Sequence, residues 1–227
     1  MPTFFTPETF RFFRELTENN NKEWFDEHKP IYDQHVYQPI KDLVSLLSPA
    51  MHSIDPEFEL RPHRAVSRIY RDVRFSKDKS PYKTCMWLTF QQPIPRENWT
   101  DIPGYFMEIS AENYVVGMGL YQPKKKTMET FREEISYIPQ EFREHADKDV
   151  LANGFEVFGE KYKRLIPSDL DEYFQTWVQR KGVYAAKTVA VNEAEVCSPD
   201  FYKKIEKDFL ALQWLYQFMK EVSELSK

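Results

Sequence analysis

The spacing of apolar residues changes character twice along the chain, and this restricts the folds open to it. Phe10, Phe13 and Leu16, and later Ile40, Leu43, Val44, Leu47 and Met51, recur three and four apart, the spacing of helices with one buried face. From Ala65 the runs AVSRIY, TCMWLTF, GYFMEIS and YVVGMGLY predict strands, the last two separated only by a turn at Glu112 and Asn113. After Pro123 the helical spacing returns with Met128, Phe131, Ile135 and Ile138. Consecutive strands with short links predict an antiparallel sheet. Without alternating βαβ units the class is α+β, with N-terminal, middle and C-terminal helices flanking that sheet.

Local signals place the boundaries. Thr6, Pro7 and Glu8 open a first helix that ends near Asn19, and Asn20 with Glu23 forms a capping-box pattern for a second. Pro30 and Pro39 are expected to break or restart the helical run, which closes at Asp55 and Pro56. A short helix is expected after Pro139, and Ser168 is placed to cap another bearing Leu170, Tyr173, Phe174 and Trp177. RKGVYAAKTVAV, from Arg180, looks extended. Ser198 and Pro199 open a last helix whose seam of Phe201, Ile205, Phe209, Leu212, Tyr216 and Met219 is best explained by core packing. Between the second and third strands, QQPIPRENWTDIP has prolines at 93, 95 and 103 that exclude regular structure; it suits a lid or a static surface loop.

At 227 residues, with no Gly/Ser linker or dividing charge run, one domain over residues 1–227 is expected. Aromatic residues make up 16% of the chain, enough to build a large core and to wall a pocket. Cys85 and Cys197 are too few and too far apart for a disulfide scaffold or a CxxC pair, so reduced, buried thiols are expected. MPTFFTPETFRFF lacks the basic start and long apolar run of a leader, and no segment approaches bilayer-spanning length. A cytoplasmic protein with no membrane partner is the expectation. Oligomeric state is not encoded legibly.

Residues 61–83, RPHRAVSRIYRDVRFSKDKSPYK, place eight Arg and Lys against two Asp. This segment carries +6, leaving −11 on the remainder of a chain whose net charge is −5. Arg68 closes a strand, whereas residues 72–81 hold turn-forming Asp, Ser and Pro. A scaffold displays several side chains toward one ligand at such strand ends and loops. Arg68, Arg71 and Arg74 offer planar forks for phosphate or carboxylate, and Lys77, Lys79 and Lys83 add mobile point charges. The alternative is internal: Asp72 and Asp78 bridge neighbouring arginines, and carboxylates from elsewhere complete an ion-pair network.

RIYRDVRFSKDKSPYK closely resembles the signature of a family of conserved hypothetical proteins, domain of unknown function 2461. NNNKEWF, GMGLYQP, RKGVYAAK and SPDF extend the resemblance over nearly the whole chain. It implies that Arg68, Arg71, Asp72, Arg74, Phe75, Asp78, Lys79 and Tyr82 are signature positions, and it brings no established activity. Lys187 stands where many relatives carry Arg, which keeps the charge and loses the fork.

Gly117, Gly119 and Tyr121 share one face of their strand, forming a shelf for a ligand, another backbone or, more simply, a packed helix. GMGLYQ is not a GxGxxG fingerprint, and there is no Walker loop. Ser76 and Lys79 fit SxxK without the accompanying SDN and KTG elements. His28 and His35 lack HExxH or clustered cysteines, so no metal is expected. Glu108 is a general base if its strand face lines a pocket and a solvated carboxylate otherwise.

The leading expectation is a small anionic ligand in a pocket formed by Arg68, Arg71, Asp72, Arg74, Lys77, Lys79, Tyr82 and Lys83, joined by Tyr121, Lys181 and Tyr184. Neither a reaction nor a cofactor is specified. A structural or interaction module with an internal ion-pair network is the second reading. Single-stranded nucleic-acid binding is the third, disfavoured by the chain's acidity.

Overall fold

The computed structural model describes residues 4–74, 77–93 and 99–227. In chain order the helices are α1 (Pro7–Glu18), α2 (Lys22–Tyr32), α3 (Gln38–Ile54) and the single turn α4 (Pro62–Ala65). Strands β1 (Cys85–Phe90), β2 (Gly104–Ser110) and β3 (Asn113–Leu120) follow, then α5 (Lys125–Tyr137), α6 (Pro139–His145), β4 (Glu156–Phe158), α7 (Gln175–Val178) and β5 (Val183–Ala190). The chain finishes with α8 (Glu193–Val196), α9 (Phe201–Ala211) and α10 (Gln213–Leu225). The strands form one antiparallel sheet in the order β1-β2-β3-β5-β4, which establishes the α+β class. Strand β4 was not foreseen: it has three residues and pairs Val157 with Ala185 of β5, too short a segment for alternation to register.

The chain resolves into two compact units. The first comprises residues 1–90, 106–115 and 188–206, and the second residues 91–105, 116–187 and 207–227. In the first, Pro7 and the reciprocal bonds of Thr6 and Thr9 start α1 as expected, and Phe10, Phe13 and Leu16 are fully buried. One face of the sheet segment in this unit carries Met86 and Leu88 of β1 and Met107 and Ile109 of β2 against Phe5 and the Ile40 and Leu43 side chains of α3. Each such buried side chain contributes roughly 1.5–3 kcal/mol. In the second unit α10 packs on α5, and Phe142 is ringed by Phe131, Trp177, Trp214 and Phe218.

Several boundaries differ from expectation. The cap of α2 is Asn21, whose side chain accepts from Trp24 N, because Asn20 is engaged elsewhere. Pro30 does not break α2; it lies within it, and a π-helical turn over Asp33–Tyr37 carries the chain into α3, where Pro39 occupies the tolerant first turn. AVSRIY is not a continuous strand: Ala65 ends α4, and residues 66–70 are extended with isolated bridges Val66–Leu88 and Tyr70–Tyr82. Asp171, not Ser168, caps the next helical turn, accepting from Tyr173 N. The C-terminal seam is divided at Leu212 into α9 and α10, although all six of its apolar residues are buried.

Candidate functional site

The basic segment lies within the first unit as a strap paired beside β1. Its backbone runs antiparallel to residues 81–88 through Ser67 N to Trp87 O (2.8 Å), Lys83 N to Ile69 O (2.8 Å) and Arg71 N to Pro81 O (2.9 Å). Asn20 clamps it at Tyr82, accepting from Tyr82 N at 3.1 Å and donating to Tyr82 O at 3.0 Å. The buried Tyr82 ring stacks on Phe25 at 4.1 Å, and burial pushes its hydroxyl pKa up. These contacts explain physically why NNNKEWF and the strap belong together.

Much of the strap's charge is neutralised internally. Arg61 and Arg64 converge on Glu59, whose carboxyl is held at about 2 mainly by its bond from Arg61. Arg74 forms a two-pronged pair with Asp72 (2.9 and 2.6 Å), again holding that carboxyl at about 2. Arg71 reaches Asp78 at 3.1 Å and donates to Tyr82 O at 3.3 Å. Asp78 is held below its usual range mainly by the backbone and hydroxyl of Ser80. Lys79 donates to Val73 O at 2.8 Å, and Lys77 is exposed. Phe75 and Ser76, with the SxxK reading that needs Ser76, fall outside the described residues.

At the base of the strap two cations are left without an ion pair among the described residues, and Arg71, paired with Asp78, keeps one unsatisfied polar atom. Arg68 is exposed and, among the described residues, has no ion pair. Lys83 is half-buried, also without a carboxylate partner; burial lowers its pKa, and the nearby charges of Arg68 and Arg71 lower it further. The Nε of Arg71 is buried with no hydrogen-bond partner among the described residues. Such a group costs about 1–3 kcal/mol unless something accepts its hydrogen bond.

Alternation continues this patch along β1. Lys83 lies two residues before the strand, across a bend at Thr84; within β1, Cys85 and Trp87 point one way while Met86 and Leu88 enter the core. On β2 the same face carries Phe106 and Glu108. Glu108 is half-buried and accepts a hydrogen bond from the Cys85 thiol; burial pushes its carboxyl up from the usual range and the thiol to about 11. One step further, the Trp87 and Phe106 rings lie 5.7 Å apart. Glu108 therefore lies on the half-covered face, not in open solvent. His28 stacks on Trp24 at 4.0 Å, and His35 hydrogen-bonds Thr6 at 3.0 Å. Among the described residues no three His, Cys, Asp or Glu converge as metal ligands.

Tyr121, Lys181 and Tyr184 belong to the second unit. Tyr121 is exposed and stacks with Trp99 at 6.4 Å, Lys181 pairs with Glu160, and Tyr184 stacks on Phe158 at 5.6 Å. The expected shelf at Gly119 is filled by backbone, which corrects the ligand and packed-helix versions there. A Cβ at that position would lie 2.4 Å from the Tyr184 Cα, and Gly119 adopts φ +157°. Expectation also overlooked Arg180. This buried residue donates to the carbonyls of Thr176, Gly159 and Val157, each at 2.7 Å, while Arg132 donates to Val178 O and Arg180 O at 2.8 Å. Both guanidiniums hold backbone together. Of the loop over residues 91–103, residues 94–98 lie outside the described set, and with them much of the lid reading; Gln91 ties its ends by donating to Trp99 O and Ile102 O.

The family model described as Conserved hypothetical protein (DUF2461) matches residues 8–218. No curated protein matches the chain. No helix among the described residues is long and apolar enough to cross a membrane.

Proposed function

The chain belongs to this family of conserved hypothetical proteins, and from that premise we propose that it binds a small phosphate- or carboxylate-bearing ligand at the base of the strap. Arg68, Arg71 and Lys83 are the principal contacts. The observation that carries this reading is the Arg71 Nε, buried and without an acceptor among the described residues, beside Arg68 and Lys83, which form no ion pair among those residues. An oxyanion supplies the acceptor, relieves the mutual repulsion and restores the proton affinity of Lys83 in one step. Lys77, exposed on the loop, adds mobile charge.

The internal-network reading keeps specific support in the Arg74–Asp72 and Arg71–Asp78 pairs. The two readings diverge in Arg68→Ala and Lys83→Ala, which break no ion pair among the described residues. Calorimetric titration with inorganic phosphate, sulfate and simple carboxylates is expected to detect binding that both substitutions weaken severalfold while Arg74→Ala leaves it near wild type. Absence of binding, with only Arg71→Ala lowering the melting temperature, would assign the strap to structure alone.

A further inference from the structure

The patch does not stop at its cations. Cys85 and Trp87 share one face of β1, so their Cα atoms are about 6–7 Å apart, and Lys83 lies just before the strand, its charge close enough to the Cys85 thiol to interact with it. Glu108 faces Cys85 from β2, and Phe106 faces Trp87. The strip therefore presents an anion-binding end, a carboxyl in the middle and an aromatic pair at the far end. Resting on the anion-site reading above, we propose that this strip binds a nucleoside monophosphate: the phosphate on Arg68, Arg71 and Lys83, a sugar hydroxyl donating to Glu108, and the base against Trp87 and Phe106.

Each part answers a separate physical demand. The phosphate offers an acceptor to the Arg71 Nε, which has none among the described residues. A half-buried carboxyl whose protein partner is a thiol, a weak donor, gains a stronger bond from a hydroxyl. An aromatic face supplies about 1–3 kcal/mol of stacking to a base of any identity. An acid carrying only a phosphate or carboxylate would leave the carboxyl and the rings unused.

The test compares inorganic phosphate, ribose 5-phosphate, the four 5′-mononucleotides and adenosine by calorimetry at fixed ionic strength. The expected order has at least one mononucleotide binding about tenfold or more tighter than ribose 5-phosphate, as stacking of this size requires. Trp87→Leu should erase that increment without altering phosphate affinity, and Glu108→Gln should weaken ribose 5-phosphate relative to phosphate. Phe106→Leu serves in place of Trp87→Leu if circular dichroism shows the latter unfolded. Phosphate binding that depends on Arg68, with no mononucleotide favoured over ribose 5-phosphate, would overturn the nucleotide assignment and leave the anion site standing. No binding by any compound would overturn both.

Discussion

Neighbouring asparagines do different work near the start of the chain. Asn21 caps α2, and its replacement by Ala should cost about 1 kcal/mol, the ordinary value of a cap. Asn20 holds both backbone groups of Tyr82, so Asn20→Ala should cost about 1–3 kcal/mol and weaken anion binding as the strap loosens; urea unfolding and titration measure the two effects. At Glu108 the sign is the reverse. Burial raises its folded pKa, so the carboxyl costs no stability below its unfolded value and costs most once the pH exceeds the folded one. Glu108→Gln should therefore melt higher than wild type at neutral pH and equally in acid, a stability gain joined to weaker ligand binding. Lys187 forms a largely buried pair with Asp208 at 2.6 Å, yet Asp208 Oδ2 has no hydrogen bond among the described residues. Lys187→Arg, with its second N–H, should raise stability by about 0.5–1.5 kcal/mol in the same unfolding experiment.

Elements here are shaped as much by neighbouring backbone as by their own periodicity. Gly119 lies on β3 where β5 comes too close for any Cβ, at a φ that other residues rarely adopt. Gly119→Ala is accordingly expected to cost more than about 3 kcal/mol and to be recovered largely as unfolded protein, checked by circular dichroism and by the soluble fraction on expression. The division of the C-terminal seam at Leu212 shows the limit of pattern alone. Its apolar residues are buried on both sides of the break, so spacing read correctly which side is buried but not the interruption of the helix at Leu212. Pro30 is the complementary case: it lies within α2 without ending it, and the π turn begins three residues later.

For the whole molecule, an acidic chain of net charge −5 carries a local basic strap. Anion binding at Arg68, Arg71 and Lys83 should weaken as ionic strength rises, and on the basic side of neutrality it should take up a proton as Lys83 regains its charge. Titration in buffers of different ionisation enthalpy reads that proton. The depressed carboxyls of Glu59 and Asp72 contribute stability that is present above their unfolded pKa values and lost as pH falls through the folded ones. Melting temperature should therefore drop between about 4.5 and about 2, and Glu59→Gln should flatten part of that decline. The α+β class, most helices, four strands and the basic strap were legible in the sequence, because periodicity, proline and local charge density are properties of short segments. The pairing of the strap beside β1, the clamp by Asn20 and the carbonyl network of Arg180 were decided by tertiary structure. Those depend on which distant groups compete for the same hydrogen bond or charge, and a linear spacing carries no record of that competition.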